Sequence, residues 1–212
     1  MIPKTKSNII DISWPISENM TAYKDRRSVT ITSTKQWQPD KVRESTIAIG
    51  SHSGTHIDAP AHFVEHGQTV DQIDLHALIG PCTVYDVIHC DQTITAKDIE
   101  KLDIQPGSRV LLKTKNSLLN QTSLFDASFV YVSADGAQAL ADKKILSVGI
   151  DYLGIERAQP NHETHSILLT AGIIIIEGLR LGHVQAGTYD LCCLPLCLPG
   201  LDAAPARAVL FC

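Results

Sequence analysis

Residues 51–62 read Ser-His-Ser-Gly-Thr-His-Ile-Asp-Ala-Pro-Ala-His, so three histidines and one carboxylate fall within a single short segment. Imidazole and carboxylate are side chains that bind divalent zinc, manganese or iron. Gly54 and Pro60 oppose a regular helix here, so we expect an irregular loop. Loops of this kind bring side chains together at functional sites, and this one predicts a metal site around which the chain folds.

Four side chains of this segment are candidates for the site. His52, His56 and Asp58 are close enough in sequence for one folded loop to direct them at the same ion. His62 follows four positions after Asp58 and could be either a further ligand or a carrier of protons. The alternative, a polar surface loop that happens to be rich in histidine, is disfavoured by the glycine and proline that shape the backbone.

Four clustered donors rarely complete a metal site, so a second cluster is expected later in the chain. Glu177 is the most informative candidate because it ends the isoleucine run 173–176, where an unpaired carboxylate would be costly. A solvated strand end is the alternative explanation for this residue. The other candidates are His162, Glu163 and His165, and spacing alone does not choose between the two histidines.

The composition bounds the class of protein. A chain of 212 residues with 44% hydrophobic and 19% charged residues is long enough to bury a substantial core. The net charge of −5 gives no basic surface for nucleic acid or an anionic membrane. Residues 1–7 are basic but precede no long apolar run, so no secretory signal is expected. We find no linker or repeat and expect one domain, residues 1–212.

The six cysteines indicate the redox state of the cellular compartment in which the protein works. Several of the six lie in apolar, strand-like segments, which favours buried free thiols in a reducing, cytoplasmic environment over disulfides. A cysteine metal site is disfavoured because no paired Cys-x-x-Cys is present. The six residues are Cys82, Cys90, Cys192, Cys193, Cys197 and Cys212.

Strand and helix patterns alternate along the chain, which predicts an α/β fold. Thr95 and Asp98 have the spacing of a capping box, and Ser133 is a second expected helix cap. The segment 28–34 alternates apolar and polar residues and is expected to be a half-buried strand. The predicted strands are 8–12, 28–34, 45–49, 82–88, 109–113, 129–132, 145–150, 173–176, 189–194 and 208–211. The predicted helices are 74–79, 95–102, 134–143 and 163–171.

Two other catalytic classes are disfavoured. A serine hydrolase would need a Gly-x-Ser-x-Gly elbow, which the sequence lacks. A cysteine nucleophile at Cys192 or Cys193 is opposed by their apolar strand. The remaining histidines, His66, His76, His89 and His183, are expected to be surface or packing residues.

The segment 52–62 resembles the HxGTHxDxPxH signature of the cyclase-like metal-dependent hydrolases, the family of bacterial kynurenine formamidase and isatin hydrolase. The resemblance extends over most of the chain. Val148-Gly149-Ile150-Asp151 is similar to the family's strand before its second ligand. His165 and Glu177, followed by Gly-Leu, are similar to its His-x11-Glu-Gly-Leu pattern, and residues 189–210 resemble its C-terminal end.

The resemblance implies a swivelling β/β/α domain that forms a homodimer or homotetramer. It implies that His52, His56 and Asp58 bind one metal, and that Asp58 and Glu177 bridge to a second ion. It also implies that His165 binds that second ion and that His62 is the general acid/base. The implied ions are zinc, with manganese the alternative. The implied reaction is hydrolysis of a carbon–nitrogen bond in a small aromatic amide, as in arylformamidase.

Two departures bear on the substrate. The family's N-terminal loop carries an aromatic residue before Pro-Gly-Asp, and that aromatic packs on the substrate. Here the nearest match is Tyr23-Lys24-Asp25-Arg26, so Tyr23 is the candidate substrate-binding residue. Ser166 follows His165 where formamidases often carry a second histidine. An isatin hydrolase or another cyclic-amide hydrolase is therefore the second hypothesis, and a non-catalytic metal-binding protein is the third.

Overall fold

The structure, a computed structural model, describes residues 9–212. The first predicted strand includes Asn8, which lies outside the described residues. The strands are β1 (Ile9–Asp11), β2 (Val29–Lys35), β3 (Glu44–Ile49), β4 (His56–Asp58), β5 (Ile79–Asp86), β6 (Thr93–Ile94), β7 (Arg109–Lys113), β8 (Tyr131–Val132), β9 (Ser147–Ile150), β10 (Ile174–Glu177), β11 (Gly187–Pro195) and β12 (Ala203–Phe211).

The helices are short and follow local signals in the sequence. The expected capping box is present, with the Thr95 backbone N–H and hydroxyl both donating to Asp98. The Ser133 hydroxyl accepts from the Gly136 N–H, which confirms the second cap. The predicted helix over 74–79 is reduced to a single 3₁₀ turn. The helices are α1 (Trp37–Asp40), α2 (Ala96–Glu100), α3 (Ala134–Asp142) and α4 (Glu163–Thr170), with 3₁₀ turns at Tyr23–Asp25, Pro60–His62, Leu75–Ala77 and Lys115–Leu118.

The main sheet closes on itself. Its strand order is β1-β12-β11-β5-β7-β9-β10-β4, and β4 pairs back onto β12. Strands β5, β7, β9 and β10 run parallel, whereas β4 is antiparallel to both of its neighbours. The mixed α/β class predicted from the sequence is confirmed.

Two hydrophobic clusters lie on opposite faces of this sheet. Ile176 and Ile57 belong to the cluster enclosed by the closing sheet, whereas Ile175 belongs to the cluster that also contains Leu140 of α3 and Leu168 of α4. Because successive strand residues point to opposite faces, a strand covered on both sides needs apolar residues throughout. This explains the isoleucine run 173–176, and its prediction as a buried strand is confirmed from Ile174 onward.

The expectation of an irregular loop throughout residues 51–62 is wrong for part of the segment. His56–Asp58 is a strand of the main sheet, and Pro60–His62 is a 3₁₀ turn. Three residues are too few to give a periodic signal, and the pairing that makes them a strand comes from β10 and β12. Strand β12 likewise begins at Ala203, whereas the sequence predicts a strand only from residue 208. The prediction missed the first residues because Ala-Ala-Pro-Ala lacks the β-branched residues that mark strands.

Strands β2 and β3 form a separate two-stranded ribbon. The sequence predicts a half-buried strand over 28–34, but only Val29 of β2 is buried. Ile31, Ile47 and Trp37 are 40%, 58% and 57% exposed. The alternation of apolar and polar residues indicated that one face of the strand packs against other residues. In the described chain, no other element packs against that face.

The cysteines of the described chain are all free. Cys82, Cys90 and Cys193 are buried, as expected for structural thiols, while Cys197 and Cys212 are exposed. Over residues 9–212, the structure contains no helix with the length and apolar character needed to cross a membrane.

Candidate metal centre

Two adjacent strands put three of the predicted ligands on one face of the sheet. In β4, His56 and Asp58 are two residues apart and therefore point the same way, while Ile57 points into the opposite core. The antiparallel register of β4 and β10 places Glu177 directly opposite His56. His56 Nε2 consequently lies 3.4 Å from Glu177 Oε2 and 3.5 Å from Asp58 Oδ1.

Helix α4 brings His165 to the same face. Its Nε2 atom lies 3.3 Å from Glu177 Oε1 and 3.5 Å from Asp58 Oδ2. His162, the alternative by spacing, occupies the N-cap of α4 with a φ of 53°, is exposed, and contacts Glu156 instead. Glu163 accepts a hydrogen bond from Asn161 Nδ2 at 3.2 Å and, among the described residues, forms no ion pair with the histidines of the cluster.

His52 and His62 close the solvent side of the cluster. His52 Nδ1 lies 2.9 Å from Asp58 Oδ1, and its Nε2 is hydrogen-bonded to Asp202 Oδ2 at 2.8 Å. The His62 ring lies on the His52 ring, with centroids 4.2 Å apart, and its Nδ1 is 3.4 Å from the same Asp202 oxygen. All five predicted ligands and His62 are thus brought together by the fold.

Sequence reasoning missed Asp202 and Glu156. Asp202 immediately precedes β12, whose pairing of Ala203 with Asp58 sets it beside the histidines. That long-range register carries no local signal. Glu156 lies six residues beyond β9 and is buried. Because the basic residue Arg157 follows it directly, the sequence around Glu156 resembles an ordinary surface charge pair and carries no local signal of burial.

The donor set fits a divalent cation. Asp58 is fully buried, and neither of its carboxylate oxygens makes a hydrogen bond of good geometry, although His52 is close to one of them. His56 Nε2 is also buried without a hydrogen bond. Buried polar atoms normally make hydrogen bonds. Because these three atoms converge on one point without any, they fit a cation that accepts their lone pairs. Donor atoms of His52, His56 and Asp58 lie within 4.8 Å of one another, as do those of Asp58, His62 and His165.

Charge in the cluster is compensated by protons when no cation is bound. Burial lowers the pKa of His52, but the carboxylates of Asp58 and Asp202 outweigh it and raise that pKa to about 9. Burial raises the pKa of Glu177, as does the charge of Asp58, yet the His165 and His56 imidazoles beside its carboxylate bring that pKa to about 2. Since ligands must be deprotonated, a bound cation would displace protons from these histidines.

His62 behaves differently from its neighbours. Burial lowers the pKa of its imidazole, the protonated His52 and His165 lower it further, and the carboxylates only partly offset this. His62 is therefore the histidine of the cluster that is most readily neutral, as a proton acceptor must be.

A cavity of about 230 Å³ lies beside His52. Tyr23 lines the same cavity, together with apolar residues such as Met20 and Leu153. The Tyr23 ring packs edge-on against Phe125, with centroids 5.0 Å apart. The histidines expected to be unrelated to the site, His66, His76, His89 and His183, are all exposed.

The chain is similar to proteins of one family. The family described as "Putative cyclase" matches residues 10–157. A kynurenine formamidase from Salinibacter ruber is 35% identical over 205 residues, covering 95% of this chain and 96% of the relative. The structure of a predicted metal-dependent hydrolase from Bacillus stearothermophilus is 48% identical, with a TM-score of 0.87 over 96% of this chain and 98% of that one.

A more distant structure shares the fold alone. Isatin hydrolase A from Ralstonia solanacearum is 18% identical, with a TM-score of 0.82 over 96% of this chain and 91% of that one. The family match and the formamidase relative confirm the resemblance seen in the sequence: this chain belongs to the cyclase family.

Proposed function

We propose that the protein is a metal-dependent hydrolase that cleaves the carbon–nitrogen bond of a small aromatic amide, as an arylformamidase does. One observation carries this proposal: a fully buried Asp58 carboxylate without hydrogen bonds faces three imidazole nitrogens, two from the segment 51–62 and one from helix α4. Imidazole and carboxylate sites commonly keep open coordination positions for water and substrate, unlike the closed cysteine sites of structural zinc. The names of the formamidase and metal-dependent hydrolase relatives support the same reaction class.

The ligands would serve two divalent ions, zinc or alternatively manganese. His52, His56 and Asp58 would hold the first, and His165 would hold the second, with Asp58 and Glu177 shared between them. The group of His52, His56 and Asp58 supports the first site. The position of His165 Nε2, 3.3 Å from Glu177 and 3.5 Å from Asp58, supports the second. A divalent cation in such a site lowers the pKa of a coordinated water towards neutrality and polarises the carbonyl to be cleaved.

The chain's own residues then supply binding and proton transfer. His62 accepts the proton released by the attacking water and passes it to the departing nitrogen. Its low pKa and its position over His52, beside Asp202, support this role. Tyr23 contacts the aromatic part of the substrate, a role supported by the cavity that it shares with His52.

Release of formate from N-formylkynurenine tests this function. We expect Zn²⁺- or Mn²⁺-loaded protein to release formate, and we expect a chelator to abolish that release because the buried donors lose their cation. Metal-loaded protein that releases no formate but opens isatin would replace the formamidase hypothesis by the cyclic-amide one. Metal-loaded protein that hydrolyses neither would favour a non-catalytic metal-binding protein.

We also propose that the single domain, residues 1–212, assembles into a homodimer or homotetramer in the cytoplasm. A lone two-stranded ribbon is marginally stable in water, and the β2–β3 ribbon exposes Ile31, Ile47 and Trp37. A second copy of the chain is the occupant that would cover this surface. Light scattering of the purified protein is expected to give a mass of at least two chains, and a monomer at micromolar concentration would contradict the proposal.

A further inference from the structure

Glu156 is a buried carboxylate that contacts a predicted metal ligand from behind. It is 7% exposed, and its Oε2 atom lies 2.9 Å from His165 Nδ1. The His165 backbone N–H donates to the same oxygen at 3.2 Å. Its other oxygen, Oε1, contacts Nδ1 of His162. Glu156 is therefore held by both histidines at the start of α4.

The two nitrogens of the His165 ring face different partners. Nδ1 lies 2.9 Å from Glu156 Oε2 without a hydrogen bond of good geometry, whereas Nε2 lies 3.3 Å from Glu177 Oε1 and 3.5 Å from Asp58 Oδ2. A carboxylate only accepts hydrogen bonds, and a neutral imidazole has one N–H. A cation at the centre would take the Nε2 lone pair, so the single hydrogen of the neutral ring would sit on Nδ1, where Glu156 Oε2 is the acceptor 2.9 Å away.

We propose that Glu156 is a positioning residue that fixes the tautomer and orientation of His165, and thereby retains the second metal ion while leaving the first unaffected. This inference rests on the two-ion site of the proposed function. The first site draws on His52, His56 and Asp58, none of which contacts Glu156 in the described structure. Partners behind a metal-binding histidine typically contribute 10- to 100-fold in metal affinity.

A merely structural role must be separated from this one, because Glu156 also accepts a backbone N–H in the first turn of α4. Gln159 offers a matched control. Its Oε1 accepts from the Thr164 N–H at 2.8 Å, and its Nε2 donates to the Thr164 hydroxyl at 2.8 Å. Gln159→Ala therefore weakens the same helix start without removing a partner of the His165 ring.

The test is a Zn²⁺ titration of metal-free protein by calorimetry, with metal per chain measured after dialysis. We expect two ions per chain for the unmodified protein and for Gln159→Ala. For Glu156→Ala, we expect one ion at unchanged affinity and a second bound about 10- to 100-fold more weakly. Glu156→Gln keeps the size of the side chain and one acceptor oxygen, so it is expected to fold normally. Its affinity for the second ion is expected to lie between those of the unmodified protein and Glu156→Ala.

Two results would overturn the inference. Either Glu156→Ala and Glu156→Gln both bind two ions as tightly as the unmodified protein, or Gln159→Ala weakens the second ion as much as Glu156→Ala does. Failure of the proposed function gives a different result, because it is seen as an unmodified, metal-loaded protein that cleaves no amide, whatever the variants bind.

Discussion

Asp58→Asn is expected to lower kcat/KM for the amide substrate by about 10³-fold and to reduce bound metal to less than one ion per chain. Asp58 is the one side chain shared by both donor groups, and its two oxygens have no other hydrogen-bonding role. An asparagine would replace an anionic donor that has two oxygens by a neutral amide with one carbonyl oxygen, which is a weaker ligand for a divalent cation. A loss of about 4 kcal/mol of the transition-state stabilisation that the metal supplies corresponds to a rate about 10³-fold lower.

Elemental analysis of the purified variant and initial rates of formate release measure this effect. Asp151→Asn is the matched control, because Asp151 is equally buried but is already satisfied by the backbone and hydroxyl groups of Thr114 and Ser117. That control is expected to lose about 2 kcal/mol of folding stability and to keep its metal. Full metal content in Asp58→Asn would show that the carboxylate is not a ligand.

The sequence was most informative where the site is local. His52, His56 and Asp58 lie within seven positions, so ligand chemistry alone marks them. Glu177 follows from the cost of a carboxylate after four isoleucines. The structure gives it a neighbour on each side, since Ile155 N–H donates to its Oε1 at 2.6 Å and His56 lies beside its Oε2.

Spacing alone could not choose between His162 and His165. His162 directly precedes the predicted helix and His165 lies in its first turn. Only the resemblance to the family favoured His165 as the metal ligand. The structure supplies the physical reason: a left-handed N-cap turns His162 outwards, whereas His165 in the first turn faces the sheet. Cap conformation depends on how the preceding loop meets the helix, which periodicity does not report.

The unpredicted parts of the site depend on long-range register. Asp202 reaches His52 because β12 pairs with β4 at the end of the chain, 150 residues away in sequence. The prediction of a half-buried strand over 28–34 is wrong for a related reason. An alternating pattern indicates that one face needs a partner but does not say whether that partner belongs to the same chain.

His62→Ala is expected to reduce kcat by 10²- to 10⁴-fold while leaving metal content unchanged, the range typical of a lost general acid/base. The structure leaves two roles open in geometry alone, because a His62 nitrogen is grouped with donors of Asp58 and His165. The hydrogen-bonding partners favour proton transfer. Asp58 and Glu177 meet His52, His56 and His165 within 3.5 Å, whereas the nearest carboxylate to His62 is Asp202 at 3.4 Å, on the solvent side of the cluster.

Kinetics and elemental analysis of the same preparation distinguish the two roles. A ligand role would lower metal content and rate together, whereas a proton carrier lowers the rate alone. His66→Ala is the control, because His66 lies four positions later with its side chain 91% exposed, and it is expected to change neither quantity. Unchanged kcat in His62→Ala would remove proton transfer from this residue and would leave Asp202, the carboxylate beside both outer histidines, as the group in the cluster able to carry it.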